Sequence, residues 1–221
     1  MVTYGKRGAD DMANILLGAT GSVAAIRVPA LHAALTAAGH SFRIVATRAA
    51  THFFKPADIG GYPDDPYAVS LDEDEWPAGG YSRGDAVRHI ELRSWADLFL
   101  IAPLDANTLA KLAIGLCDNA LTCVWRAWDW NKPVVLAPAM NTLMWQHPFT
   151  KKHLRSLAAD FGAAHIPAHF DEETLLRQIN DRAKMLKIVP PISKSLACGD
   201  IGVGAMAEVE AVVECVSGLL H

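Results

Sequence analysis

LFLIAPLDANTLAKLAI, Leu98 to Ile114, is the stretch on which the fold turns. Leu98-Phe99-Leu100-Ile101-Ala102-Pro103 is a short apolar run with no polar face, the pattern of a strand buried on both sides. Asp105 then stands where a helix N-cap belongs, and Ala106 to Ile114 reads as the helix it opens. Strand, polar turn and helix thus follow one another in 17 residues.

The same grammar recurs on either side. Asn14 to Ala19 is an apolar strand that ends at Thr20-Gly21-Ser22, and an Ala-rich helix is predicted from Val23 to Ala38, kinked at Pro29. Ser41 to Thr47 is a second strand, and Arg48 to Phe54 a short helix. Residues 56–84 are rich in Pro, Gly and Asp, with a strand predicted only at Tyr67 to Leu71. The acidic run Asp72-Glu73-Asp74-Glu75 inside this region reads as a solvated loop. Further on, Ala120 to Trp128 reads as helix, Pro133 to Ala137 as strand, Thr142 to Trp145 and Thr150 to Asp160 as helices, Ala163 to Ile166 as a last strand, and Glu208 to Leu220 as a last helix. Strands alternating with helices predict an α/β fold, a single-domain parallel sheet with helices on both faces.

Composition narrows the function. A formal net charge of -4 gives no reason to expect nucleic acid or an anionic membrane surface as a partner. No apolar stretch approaches the ~20 residues that span a bilayer. Residues 1–13 are polar, lack the apolar core of an export signal and read as a flexible tail. Cys117, Cys123, Cys198 and Cys215 form no CxxC pair, and with the scattered histidines they give no zinc pattern, so no metal is expected. Reduced thiols and a cytoplasmic location follow as the default.

In parallel sheets ligands bind beyond the carboxyl ends of the strands. The polar strand ends here are Thr20-Gly21-Ser22, Thr47, Asp105-Ala106-Asn107-Thr108 and Met140-Asn141. Gly21-Ser22 opens a helix in the way that suits a phosphate, although neither GxxxxGK[ST] nor GxGxxG is present. Ser22, Asp105 and Asn141 each also read as plain N-caps. Asn141 could instead hydrogen-bond a carboxylate, and the Met and Trp around it could simply be core. His89 is the best acid–base candidate by its titration range, against the plainer reading of a structural histidine. Cys198 lies among glycines, in a loop where a thiol can reach a ligand.

Taken in order, TGSVAAI (Thr20 to Ile26), HIELRSWAD (His89 to Asp97), APLDANTLAKLA (Ala102 to Ala113), GLCDNALTC (Gly115 to Cys123), APAMNTLMW (Ala137 to Trp145) and ACGDIGVGAMAE (Ala197 to Glu208) resemble the homo-oligomeric flavin-containing Cys decarboxylase family, and within it the phosphopantothenoylcysteine decarboxylases. The resemblance spans roughly residues 14 to 210. It implies a Rossmann-like, flavodoxin-like fold and a homotrimer with FMN between subunits. The implied activity is FMN-dependent decarboxylation of 4'-phosphopantothenoylcysteine to 4'-phosphopantetheine in coenzyme A biosynthesis, by way of a thioaldehyde and an enethiolate.

Residue by residue, it implies that Gly21, Ser22, Val23, Thr47 and Asp105 to Thr108 (Asp105, Ala106, Asn107, Thr108) hold the phosphate and ribityl chain. Phe53, Ala139 and Met140 would lie near the ring system. His89 would be catalytic, and Cys198 would return a proton. Asn141 would hold the substrate carboxylate, with Met144, Ala197 and Gly199 also at the substrate. Asp105, where some relatives have Ser, suits a ribityl hydroxyl better than a phosphate. The domain would run from 14 to 221, with residues 190–206 as a substrate flap and residues 167–189 as a polar, helix-prone surface insertion that a short linker could replace. A peptidyl-cysteine decarboxylase, a flavin prenyltransferase and a non-catalytic flavin-binding regulator of a protein phosphatase are the alternatives. The HIEL and ACGD segments, and the lack of long acidic extensions, favour the small-molecule enzyme.

Overall fold

The computed structural model describes residues 12–59, 65, 68–80, 82–195 and 201–220. In chain order the elements are β1 (Asn14–Ala19), α1 (Val28–Ala37), β2 (Ser41–Ala46), β3 (Val69–Ser70), α2 (Asp72–Glu75), α3 (Arg88–Trp95), β4 (Leu98–Leu104), α4 (Ala106–Ile114), α5 (Ala120–Arg126) and β5 (Val134–Pro138). They continue with α6 (Thr142–Gln146), α7 (Pro148–Asp160), α8 (Glu172–Arg182), β6 (Leu186–Ile188), β7 (Ile192–Ser195), β8 (Ile201–Ala205) and α9 (Val209–Leu220).

The main sheet has six strands in the order β3-β2-β1-β4-β5-β6. Every pairing in it is parallel. Side chains alternate between two cores. Ile15, Leu17, Leu98, Leu100 and Val135 face the core that α1 and α9 cover. Leu16, Phe99, Ile101, Val134 and Leu136 face the core that α3, α4, α5, α7 and α8 cover. A strand buried on both faces must be apolar at every position, which is why β4 carries no alternation in its sequence. This is the doubly wound α/β fold expected from the sequence. Its strand order reverses between β1 and β4, the place where such sheets open a crevice.

Four expectations need correction. The stretch from Val23 to Ala38 is not one kinked helix: Val23–Arg27 is a 3-10 turn, and α1 begins at Val28 with Pro29 in its first turn. There the missing N–H of proline would have no helical partner anyway. The acidic run is not a solvated loop but the single turn α2. Asp72 accepts a hydrogen bond from the Ala120 backbone N–H at 2.9 Å, and the Glu75 side chain is 5% exposed. Ala163 to Ile166 is not a strand. His165 has φ 61°, in the left-handed region that an extended chain cannot cross, although Ala163 and Ile166 are buried.

The sixth strand comes instead from the stretch expected to be a surface insertion. Helix α8 buries Leu175, Leu176 and Ile179, and Leu186 and Ile188 of β6 lie in the same core. The Asn180 amide holds the outer edge of β6, donating from Nδ2 to the Ile188 carbonyl at 2.9 Å and accepting at Oδ1 from the Ile188 N–H at 2.7 Å. An edge strand whose backbone is occupied in this way offers little to pair with another chain. Of the strand expected at Tyr67 to Leu71, Val69–Ser70 forms in the sheet, and Tyr67 lies outside the described residues.

Candidate functional site

Thr20 ties the crevice together at its base. It is fully buried; its backbone N–H and Oγ1 donate to the Pro103 carbonyl at 3.2 and 2.8 Å, and Oγ1 accepts from the Asp105 N–H at 2.7 Å. The end of β1 and the start of α4 are thereby fixed against each other. Gly21 follows in a place with no room for a side chain. A Cβ there would stand 2.6 Å from Ala49 Cβ and 3.2 Å from Asp105 Oδ2.

Each turn that leaves the sheet at this edge is capped by its own polar side chain. Ser22 Oγ accepts from the Ala24 N–H at 3.3 Å, Asp105 Oδ1 from the Thr108 N–H at 2.6 Å and Asn141 Oδ1 from the Met144 N–H at 2.8 Å. The cap reading and the ligand reading therefore coexist. With Oδ1 occupied, Asn141 has Nδ2 left for a ligand, a donor that matches a carboxylate. Asp105 has Oδ2 left, an acceptor that matches a hydroxyl.

These ends line a pocket of about 570 Å³. That volume lies in the range of small-molecule and cofactor sites. Of the residues singled out from the sequence, Gly21, Ser22, Val23, Asp105, Ala106, Asn107, Ala139, Met140, Asn141 and Met144 line it. Thr47, Phe53, Thr108 and His89 do not. Thr47 is buried at the end of β2 and its Oγ1 accepts from the Ala50 N–H at 3.3 Å. Phe53 packs on the α1/α9 core. Thr108 is buried in α4, and its N–H is the one that Asp105 caps. Ala197, Cys198 and Gly199 lie outside the described residues.

The hairpin β7–β8 closes one side of the pocket. The Met140 N–H donates to the Gly204 carbonyl at 2.9 Å, and Gly204 has φ 140°. Gly204 is required here, because a Cβ would run into the Met140 carbonyl. Lys194, Ala205 and Met206, all within the 190–206 stretch expected as a flap, line the pocket together with Ile26 and Arg27; none of the five was named individually as a site residue. Glu208 pairs with Arg27, and with Lys194 at 3.1 Å, and these two bonds hold its carboxyl below the ordinary value, Arg27 contributing most. An adjacent hollow of about 420 Å³ is lined by Leu143, Met144, His147 and Phe149 among others. Leu143 and Phe149 are exposed, as are Ile114 and Leu116.

His89, at the start of α3, is paired with Glu75 of α2. Its Nδ1 stands 2.5 Å from Glu75 Oε1, and its backbone N–H donates to Glu75 Oε2 at 2.9 Å. Cys123 Sγ completes a group whose ligand atoms all lie within 4.8 Å of one another. Burial first, and the nearby Glu75 carboxylate second, push this thiol up to about 11. It is therefore a neutral thiol at pH 7.

Comparison with known proteins places this architecture. Residues 4–221 match the flavoprotein family. A phosphopantothenoylcysteine decarboxylase of Mus musculus is 45% identical over 207 residues, which cover 93% of this chain and 86% of that protein. One of Arabidopsis thaliana is 45% identical over 214 residues, covering 92% and 87%. Among solved structures, a mutant PPC decarboxylase complexed with pantothenoylaminoethenethiol superposes with a TM-score of 0.75 at 43% identity, covering 93% of this chain and 97% of that one. The FMN-binding protein AtHal3 superposes with a TM-score of 0.70 at 44% identity, covering 93% and 95%.

Proposed function

The chain belongs to the flavoprotein family, and from that premise we propose that it decarboxylates 4'-phosphopantothenoylcysteine to 4'-phosphopantetheine with FMN as cofactor, in coenzyme A biosynthesis. The observation that carries this reading is Asn141. Its amide is locked by its own cap, so that a hydrogen-bond donor is the atom left to the pocket. A decarboxylase needs to hold a carboxylate without burying a cation that would stabilise it against leaving, and a neutral amide does that.

The residues present fit FMN. Gly21 leaves the space that a Cβ would fill, Ser22 and Asn107 offer polar atoms, and Asp105 Oδ2 can accept from a ribityl hydroxyl. Val23, Ala106, Ala139 and Met140 supply apolar wall for a flat ring system. Thr108 ties to Asp105 through its N–H, and Thr47 and Phe53 stay part of the cofactor reading. When bound, the flavin supplies reversible oxidation of the carbon that bears the substrate thiol, which turns an unstabilised carbanion into a conjugated enethiolate.

Asn141 orients the carboxylate, and Met144 packs beside it. Cys198 donates the final proton to carbon from the 190–206 flap, with Ala197 and Gly199 against the substrate. His89 moves the early proton. It does not line the pocket of its own chain, and Leu143 and Phe149 are exposed beside the adjacent hollow. Both support a homotrimer in which His89 serves a neighbouring subunit's site. Among the described residues no helix is long and apolar enough to cross a membrane. A cytoplasmic location is part of the proposal, on the ground of unpaired cysteine spacing.

The test is incubation of the yellow purified protein with 4'-phosphopantothenoylcysteine, wild type beside Asn141→Asp. Wild type should release one carbon dioxide per substrate. The aspartate keeps the cap acceptor but sets two anions together, a penalty of several kcal/mol, so turnover should fall by about 100-fold or more while the flavin stays bound. Unchanged turnover in Asn141→Asp rejects the carboxylate role; no carbon dioxide from wild type rejects the activity.

A further inference from the structure

Both oxygens of one carboxylate converge on one histidine. Glu75 Oε1 meets Nδ1 of His89 at 2.5 Å, and Oε2 takes the backbone N–H of the same residue at 2.9 Å. The carboxylate is 5% exposed, whereas the imidazole is 23% exposed. The acid is thus out of solvent while part of the ring faces it. Nor is Glu75 loosely held. Its one-turn helix is pinned at the other end, where Asp72 takes the first N–H of α5, and the Leu71 N–H donates to Asp74 Oδ2 at 2.7 Å.

We infer that Glu75 is the positioning residue of His89: it fixes the ring's rotation and holds the neutral imidazole as the Nδ1–H tautomer, so that Nε2 carries the lone pair that acts in the reaction. This rests on the reading of His89 as the acid–base residue. An ionised carboxylate can only accept, so the ring nitrogen facing it has to donate. A partner on one ring nitrogen setting the chemistry of the other is a general device for histidine. Among the described residues, the neighbouring groups do not compete for this role. Cys123 is a neutral thiol at pH 7, and Asp72 is committed to α5.

The consequence is unusual for an isosteric change. Glutamine at 75 has one oxygen and one NH2 for two donors. The backbone N–H of His89 cannot change, so it keeps the oxygen, and the NH2 then faces Nδ1. The ring can accommodate that only by moving its proton to Nε2. Glu75→Gln should therefore bury the lone pair and present an N–H where the lone pair was.

The experiment uses the FMN-loaded protein with 15N-labelled histidine, and Glu75→Gln, Glu75→Asp and His89→Asn beside wild type. The His89 signals are those missing in His89→Asn. Wild type should show the Nδ1–H tautomer and Glu75→Gln the Nε2–H tautomer, with kcat lower by on the order of 100-fold and KM and flavin absorbance little changed. Glu75→Asp keeps two acceptor oxygens and should retain the wild-type tautomer and more of the activity than Glu75→Gln. If Glu75→Gln fails to fold, this Asp variant decides: the Nε2–H tautomer with full activity overturns the inference. Wild-type activity in Glu75→Gln beside an inactive His89→Asn overturns it while leaving the role of His89 in place. Full activity in His89→Asn removes that role, and the inference with it.

Discussion

The rim of the pocket is made of two regions built in opposite ways. One comprises the ends of β1, β4 and β5, where each turn carries its own cap within three residues and each ligand-facing atom sits beside the strand that positions it. The other is the C-terminal β7–β8 hairpin, which meets the pocket through the bond from the Met140 N–H to Gly204 and follows a layer, α8 and β6, whose strand pairs with β5 far back in the chain. The first region is local chemistry repeated at successive strand ends. The second exists only once the sheet does. Glu208 joins them, with Arg27 from the first region and Lys194 from the second.

The sharpest way to break this contrast is to replace Asp171 to Lys187 with a short Gly-Ser linker. Were this a surface excursion, the protein would fold and bind FMN. The structure places Leu175, Leu176, Ile179 and Leu186 from this segment in the core at no more than 4% exposure. Each such loss costs about 2–5 kcal/mol, and the four together are comparable to the ~5–15 kcal/mol that a domain has in total. The expected result is an insoluble protein, or one with no cooperative thermal transition; a cooperative, yellow deletion variant would show that the second region is dispensable.

A smaller effect tests the first region alone. Gly21→Ala puts a methyl group 2.6 Å from Ala49 Cβ, where no flexible side chain can move aside. Overpacking of this kind costs about 1–3 kcal/mol. FMN affinity should fall by about tenfold, as read by flavin fluorescence on titration, with far-UV circular dichroism unchanged. Unaltered affinity means that the Gly21 turn does not approach the cofactor.

The smallest expected effect falls on the bridge between the regions. Glu208 has its carboxyl lowered, chiefly by the bond from Arg27 and then by that from Lys194. A lowered carboxyl contributes stability above its unfolded pKa and loses it as pH falls through the folded value. Glu208→Gln should therefore melt slightly below wild type at pH 7, and the two should converge in acid below the ordinary Glu range, near 4.3. High salt should also narrow the gap, because the group is exposed. A gap that persists in acid would assign the difference to packing and not to charge.

The two regions were also unequally legible in the sequence. Asn14–Ala19 and Ala106–Ile114 could be read to the residue, because an apolar run and a cap are local signals. Most of the pocket lining came with them. Strand β6 could not be read in this way: Leu186-Lys187-Ile188 is three residues long, and only pairing with β5 makes it a strand. The helix signal of α8 was visible, yet its polar composition hid the one face that the core takes. Glu75 was lost for a related reason. In an acidic run every residue looks solvated, and the partner that buries this one lies 14 residues further on. A hint was available in Trp76 beside it, since a large aromatic is out of place in a purely solvated loop. Arg27 and Lys194 gave no signal, being ordinary basic residues until Glu208 brings them together.

The three caps at the sheet edge have a thermodynamic consequence. Ser22, Asp105 and Asn141 lose their rotamer freedom when their turns form, so that entropy is surrendered during folding and not when a ligand arrives. The amide of Asn141 cannot flip without breaking its bond to the Met144 N–H, and the carboxylate of Asp105 is anchored in the same way by Thr108. The pocket therefore meets its ligand preorganised, with the donor and the acceptor already assigned at the ends of two neighbouring strands. A molecule that presents its acceptor and donor in the reverse order gains nothing from either group, so selectivity at this site is written into the helix starts before any contact is made.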